Sequence, residues 1–535
     1  LRKNILWLAL VAFILTWAIS SLWWPFGHDQ GIFAWVGEVI LNGGTPYRDA
    51  WEVKGPLGHY VYALAQLLFG RTMWGIRLLD LCFLALGLTA LWWVTARLYN
   101  DTAARLAVAL FTLWYASGGY WMTAQPDGWA AMLLAVVVAC LIDKKGSTHL
   151  KPAVIGGAAI GLCCLVKLIY AAYLLLFVVY AIFYWPTHTS RRNLLWSIVV
   201  STFSCSVVIG LAMAWFAYKG ALADLLQIQF VFNGSVHRLA HTYSLPGQIL
   251  GVIGFVQQGW VAIALLPATL GIAILWHRQR PLAAVIVTWA VLALLGVLVQ
   301  NKFYPYHWLP LYGSLALATG GGLSHLLRGS RAASNLREHK DLTLAPYPWF
   351  AKLSTTVLAL VFILAMVAPT HSLLRWTLRV NGYESWNSYY EGFGTYDQGD
   401  FSFKADQEVA RYVAAHTTAE DSVLVWGFEV LVNYLSGRRS PTRFGYNYPL
   451  SRGHENTVEQ AYRTEFMQAL RVDPPRYILV LDQDKNNLMP KTSRQFLNDF
   501  PEFKSFLNKH YQLETTIEHF AIWRHQPFVT EKAGR

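Results

Sequence analysis

The chain has 535 residues, of which 55% are hydrophobic and 14% charged, and it carries a formal net charge of +12 at pH 7. That apolar share is too high, and that charged share too low, for a water-soluble globule. Residues 372–535 hold 19 of the 43 basic and 20 of the 31 acidic side chains, so the whole basic excess lies in the apolar part. Basic loops flanking apolar spans are what the positive-inside rule produces, and nucleic acid is a poor explanation for the charge.

Runs of about 17 or more apolar residues make membrane-spanning helices. Hydropathy predicts eleven of them, at about 4–24, 74–97, 103–120, 127–142, 152–167, 168–185, 194–217, 247–276, 282–300, 307–327 and 350–370. The start Leu1-Arg2-Lys3 with its run to Trp24 is read as a retained first span, because it is long and lacks a small-residue cleavage site. The stretch 152–185 would make a helix of roughly 50 Å, so two short spans meeting near Lys167 fit a bilayer better. Alternate loops are basic: Arg97–Arg105, Asp143–Lys151, His188–Asn193, His277–Arg280 and Arg328–Lys340. The N-terminus is therefore expected in the cytoplasm. The outer face then receives residues 25–73, the turn at Tyr120–Asp127, Lys167, the loop Tyr218–Pro246, the segment Asn301–His307 and the tail.

The expected fold is mainly α: a polytopic membrane protein of about eleven transmembrane helices, with surface helices in the first outer loop and a C-terminal soluble α/β domain. Its two domains are a transmembrane domain over 1–371 and an outer-face α/β domain over 372–535. In the tail, Phe403–Thr417 and Val458–Val472 have helical spacing, and Ser422–Phe428, Arg476–Asp482 and Thr515–Arg524 look like strands. All five cysteines fall in apolar runs, so none can staple the tail, and the pair Cys163 and Cys164 reads as packing.

The first outer loop is long and rich in apolar and aromatic residues, so it is expected to fold on the membrane surface. Of eleven acids in the first 371 residues, Asp29, Glu38, Asp49 and Glu52 gather here. Asp29, just after a span, has the character of a general base toward a hydroxyl; equally it fits an N-cap for the helical run that follows. Lys54, ahead of Gly55-Pro56, suits a phosphate at headgroup level or ordinary snorkelling. Asp127 lies in Gln125-Pro126-Asp127-Gly128 at the outer mouth of the fourth span, Lys167 interrupts an apolar stretch, and His307 follows Tyr304-Pro305-Tyr306. Each has a structural excuse: a cap for Asp127, snorkelling for Lys167, an interfacial aromatic for His307. Together, Asp29, Lys54, Asp127, Lys167 and His307 fall on one predicted face, which points to a site.

The pattern His28-Asp29-Gln30-Gly31, Pro46-Tyr47-Arg48-Asp49, Lys54-Gly55-Pro56-Leu57, then Lys167 and Tyr304-Pro305-Tyr306-His307, resembles the glycosyltransferase C superfamily over roughly residues 1–330. Within it the pattern looks closest to the bacterial branch of lipid A aminoarabinose transferases and relatives of the protein O-mannosyltransferases. The resemblance implies a polyprenyl-phosphate-sugar donor, no soluble nucleotide-sugar, and transfer to a lipid, glycan or protein hydroxyl on the outer face of a bacterial-type inner membrane. It also implies a groove for the isoprenoid among the spans. The superfamily's Asp-Glu motif matches Asp29-Gln30 with its second acid lost, and its Lys-Pro-Pro motif matches Lys54-Gly55-Pro56. The lost acid weakens the case for a divalent metal, which stays open but unsupported by the sequence, and no other cofactor is assigned.

Combining residues and resemblance, Asp29 and Asp127 are the catalytic candidates, with Asp29 as base and Asp127 orienting sugar or acceptor. Lys54, Lys167, Arg48, His307 and Tyr306 are candidates for the donor's phosphate and sugar, and Asp49 and Glu52 remain further outer-loop candidates. Inversion is expected, because base and leaving phosphate must lie on opposite faces of the sugar. A transporter or lipid-binding protein is the competing class, for which buried charges mark a path; a ligase or polymerase using a lipid-diphosphate donor shares the chemistry.

Overall fold

The computed structural model describes residues 2–142, 150–184, 191–237, 242–335, 348–397, 399–451, 457–486 and 488–526. The longer helices in chain order begin with α1 (Arg2–Ser21), α2 (His28–Leu41), α3 (Pro56–Phe69), α4 (Met73–Leu98), α5 (Asp101–Ser117), α6 (Pro126–Leu141) and α7 (Leu150–Cys164). They continue with α8 (Leu175–Tyr184), α9 (Arg191–Tyr218), α10 (Leu245–Val256), α11 (Gly259–Arg278), α12 (Arg280–Gln300), α13 (Leu309–Asn335) and α14 (Pro348–Val380). The last part holds α15 (Phe403–His416), β1 (Val423–Trp426), α16 (Thr457–Val472), β2 (Tyr477–Leu481), α17 (Pro501–His510), β3 (Tyr511–Ile517) and β4 (Phe520–His525).

Among the described residues, five helices are long and apolar enough to cross a membrane: Met73–Leu98, Arg191–Tyr218, Trp260–Arg278, Arg280–Gln300 and Thr356–Val380. Five further apolar helices have 10–17 residues. The predicted span 247–276 is two helices, α10 and α11, parted at the polar pair Gln257-Gln258, which an average over a long window hides. The predicted span 168–185 begins as a 3-10 turn over Leu168–Leu174, and the last predicted span runs on to Val380. Parts of the basic loops predicted at 143–151, 188–193 and 328–340, and of the outer loop 218–246, lie outside the described residues.

The chain gathers into two compact units. The first takes Leu1–Trp23, Ile76–Ala214 and Thr242–Trp376 and is a helix bundle. Its tightest approaches are made by glycines, as expected where apolar solvent gives helices no hydrophobic reason to associate. A Cβ on Gly322 of α13 would collide with the carbonyl of Pro267 in α11, one on Gly271 with the carbonyl of Ala318, and one on Gly157 of α7 with that of Ser201 in α9.

The second unit takes Trp24–Gly75, Trp215–His241 and Thr377–Arg535. It contains the α2–α3 hairpin and a four-stranded sheet of order β1-β2-β4-β3. β1 and β2 pair in parallel and are buried throughout, as befits a parallel pair of continuous apolar runs. Val409, Val413, Val423, Val425, Leu479, Phe520 and Ile522 form the core between α15 and the sheet. The third strand predicted over Thr515–Arg524 is instead the heart of an antiparallel hairpin, β3 and β4. Its turn carries no glycine, asparagine or proline; Glu518 adopts φ 48° instead, so the turn left no signal in the sequence.

Gly322→Ala is expected to destabilise the purified protein in detergent, by about 1–3 kcal/mol for an overpacked contact with backbone. Gly210→Ala, whose Cβ meets nothing within 4 Å on α9, should be neutral or stabilising by up to about 1 kcal/mol. Thermal unfolding of both variants checks the contrast.

Candidate active site

In the second unit, α2 begins at His28 with Gly27 as its N-cap, and the side chain of Gln30 accepts the Gly27 N–H at 3.0 Å. Capping is thus the work of Gly27 and Gln30. Asp29 sits one position inside the helix, which corrects the N-cap alternative. Its carboxylate, favoured by the positive end of the helix, pairs with Lys54 Nζ at 2.5 Å. Both side chains are about one-fifth exposed, at 20% and 21%, so a ligand can reach them.

Lys54 is held from several sides. Gly55 and Pro56 start α3 directly after it, Pro56 in the first-turn position where its missing N–H costs nothing. The Lys54 N–H donates to Glu52 Oε1 at 3.1 Å, and its carbonyl accepts from the Tyr47 hydroxyl at 2.9 Å and from Gln229 Nε2 at 3.2 Å. Gln229 and Asn233 each donate to the Val53 carbonyl at 2.9 Å. The ammonium lies 4.9 Å from the centre of the Phe33 ring. Tyr47 reaches its place through a left-handed backbone, φ 74°.

Glu52 is fully buried and accepts from the Tyr446 hydroxyl at 2.7 Å. Burial pushes its pKa up, with Lys54 opposing. Buried His59 is driven to a pKa of about 3 by burial and by the Lys54 charge, so it stays neutral. Arg48 and Asp49 turn outward and pair with each other at 2.7 Å, Arg48 also donating to the Lys219 carbonyl. Burial opposes ionisation of Asp49, and the bonds from Arg48 and the Thr45 N–H override it, lowering the pKa. Glu38, the fourth acid of the loop, pairs with Arg71 at 3.2 Å.

In the first unit, α6 starts at Pro126 with Gln125 as N-cap, and Asp127 again occupies the second helical position. One Asp127 oxygen accepts from Lys167 Nζ at 2.8 Å and from the Tyr170 hydroxyl at 2.9 Å. Lys167 also donates to Gln300 Oε1 at 2.7 Å and lies 5.5 Å from the centre of the Tyr306 ring. It stands between the end of α7 and the 3-10 turn, in extended conformation, where the helix has already stopped. Tyr306 and His307 pack edge-on at 4.8 Å. A cavity of about 160 Å³ opens beside them, lined by Tyr170, Tyr173, Gln300 and His307 and otherwise by apolar residues of the 3-10 turn and α12 and by Pro310 of α13. Behind Asp127, the buried Asp80 accepts from the Tyr115 hydroxyl at 2.8 Å and Trp129 Nε1 at 2.9 Å, fixing the start of α6.

The structure therefore brings together Asp29, Lys54 and Glu52 in one unit, and Asp127, Lys167 and Tyr306, with His307, in the other. It sets Arg48 and Asp49 against each other at the surface. Tyr170, three residues past Lys167 in the 3-10 turn, was missed. Gln229, Asn233, Gln300 and Tyr446 carry no local signal and were missed. Among the described residues, no group of three or more His, Cys, Asp or Glu is placed to hold a metal ion.

The family model of dolichyl-phosphate-mannose-protein mannosyltransferase matches residues 53–215. A curated relative, the undecaprenyl phosphate-alpha-4-amino-4-deoxy-L-arabinose arabinosyl transferase of Pseudomonas paraeruginosa, is 26% identical over 352 residues; the match spans 61% of this chain and 61% of that protein's length. The structure of ArnT from Cupriavidus metallidurans in the apo state is similar with a TM-score of 0.64 at 16% identity, covering 98% of this chain and 97% of that one. The same protein bound to undecaprenyl phosphate gives 0.61 at 14% identity, covering 98% of each. At these identities the structural likeness shows the fold. Taken with the family match over residues 53–215, it supports the resemblance of this chain to the glycosyltransferase C superfamily.

Proposed function

We propose that the protein is an integral-membrane glycosyltransferase that moves a sugar from a polyprenyl-phosphate donor to a hydroxyl on a lipid, glycan or protein acceptor, at the outer face of the membrane and with inversion. The observation that carries it is the Asp29–Lys54 pair, a carboxylate and an ammonium held 2.5 Å apart at the head of a helix yet still partly open to a ligand. Support comes from the superfamily fold and from relatives named for undecaprenyl-phosphate-linked chemistry.

In the resting protein Lys54 neutralises Asp29. A donor phosphate presents the lysine with a second anion, and a charge-assisted bond to phosphate draws it away. Asp29 is then left as a carboxylate released from its ion pair, and takes the proton of the attacking hydroxyl. Lys54 stabilises the charge that grows on the leaving phosphate, where a low dielectric strengthens it. In the helix bundle, Lys167, Tyr306 and His307 are assigned to the donor, with the neighbouring apolar cavity suited to an isoprenoid segment, and Asp127 to orienting sugar or acceptor. Arg48, engaged with Asp49, is left a secondary role. The N-terminus is assigned to the cytoplasm and residues 372–535 to the outer face.

Asp29→Asn should fold normally, because Asp29 does not cap α2, and should bind donor. Its single-turnover transfer rate should fall by at least about 100-fold, the lower scale of general-base assistance. Lys54→Ala should lose donor affinity as well as rate. Full activity in Asp29→Asn removes the base assignment. A reporter fused at the C-terminus should appear outside the cytoplasm; protection inside it would contradict the topology.

A further inference from the structure

Below the first turn of α2 lies a set of titratable groups with no part in the chemistry above. Glu429 follows β1, at the carboxyl end of the parallel pair, and is wholly buried. Its Oε1 lies 2.8 Å from Nε2 of His28, the residue just before Asp29. The His28 ring is boxed by Phe401, edge-on at 4.8 Å, and by Phe428, stacked at 5.8 Å. Asp406, in the first turn of α15, is also wholly buried and faces Glu429.

Two carboxyl groups in such a place do not both ionise. Burial and then Glu429 raise the pKa of Asp406 far above the carboxylate range, so Asp406 keeps its proton and shares it with Glu429. His28 faces this carboxyl pair as its cation. Burial works against protonated His28, but Glu429, with smaller help from Asp400 and Asp29, lifts its pKa to about 9. Asp484, beyond β2, also faces Glu429; burial raises it to about 6 against the bonds it accepts from Ser493. The His28–Glu429 attraction is complete below the ordinary histidine value of about 6.5 and is lost as pH rises through about 9.

The first turn of a helix has N–H groups without internal partners and is prone to fray. In α2 the Gln30 bond to Gly27 and the Asp29–Lys54 pair hold this turn on its accessible side, and the His28–Glu429 pair holds it from the buried side. We propose that Glu429 is a positioning residue for the transfer reaction, its ion pair with His28 clamping the first turn of α2 and so holding the adjacent Asp29 carboxylate in place. The proposal rests on the assignment of Asp29 as base. Misplacing a reacting group by about 1 Å costs on the order of 100-fold in rate.

The test uses the full-length protein in nanodiscs, with Glu429→Gln, which keeps the shape and removes the charge, and Glu429→Asp, which restores it. Three quantities are read: hydrogen exchange of the amides of residues 28–31, affinity for undecaprenyl phosphate, and transfer from lipid-linked sugars extracted from cells lacking the protein, followed from pH 6 to 10. In Glu429→Gln, exchange in that turn should rise at least about 10-fold and kcat fall about 10- to 100-fold, with affinity changed less than about 3-fold. The wild-type decline in activity near pH 9 should move to lower pH, and Glu429→Asp should recover part of both. Unchanged exchange, or a loss equal at every pH with the alkaline limb unmoved, overturns the proposal. If Glu429→Gln does not fold, His28→Gln decides: its profile should lack the alkaline limb, and a limb still near pH 9 overturns the clamp. A wild-type protein that neither binds undecaprenyl phosphate nor transfers sugar fails the proposed function instead, and the exchange measurement tells that failure from failure of the clamp.

Discussion

A charge removed from water has to be neutralised where it stands. Taking an ion into a low-dielectric setting costs several kcal/mol, and only a close counter-ion or a set of hydrogen bonds offsets it. Among the pairs of the described residues that answer that constraint are Asp29 with Lys54, Asp127 with Lys167, and Glu429 with His28. In each, one partner sits in the first turn of a helix. The side chain is thereby held on a rigid element instead of a loop, and for the two aspartates, though not for the cationic His28, the backbone there also supplies favourable positive potential. Asp29 and Asp127 occupy the same second helical position in two separate units, each behind a cap made by other residues.

Half-open pairs and closed pairs lend themselves to different work. Asp29–Lys54 is partly accessible, so an incoming anion can compete for the lysine and leave the aspartate free to take a proton. Glu429–His28 is shut away between two phenylalanines, so nothing exchanges with it and it can only hold a geometry. Lys167 is intermediate: its ammonium already spends three contacts on Asp127, Gln300 and the Tyr306 ring, beside a largely apolar cavity. A phosphate joined to an isoprenoid is a ligand in which anion and apolar chain come together, and that combination is what such surroundings suit.

Scarcity made much of this visible in the sequence. In a stretch with few acids, Asp29 and Asp127 stand out, as do Lys54 ahead of Gly-Pro and Lys167 in an apolar run, and the structure pairs each lysine with one of those aspartates. The two parallel strands and the two long amphipathic helices of the tail were equally legible, because continuous apolar runs and helical spacing are local. What escaped was non-local or chemically quiet. Glu429 and Tyr446 reach the first loop only through the fold, and no spacing rule connects them to it. The hairpin turn at Glu518 uses a residue that rarely takes a left-handed conformation, and the break at Gln257-Gln258 is too short to interrupt a hydropathy average. The cap of α2 was ambiguous because Asp, Gly and Gln can all serve near a helix start, and only coordinates show which does.

The central claim is that the anion drawn to Lys54 is a phosphate carrying both a sugar and a polyprenyl chain. It is tested most directly by comparing, by mass spectrometry, the lipid-linked sugars of cells with and without the protein, and then offering the purified protein that lipid fraction or nucleotide-sugars. The account predicts that a polyprenyl-phosphate-sugar accumulates when the protein is missing and is consumed when it is added, with nucleotide-sugars left untouched. Turnover of a nucleotide-sugar without any lipid carrier would contradict it.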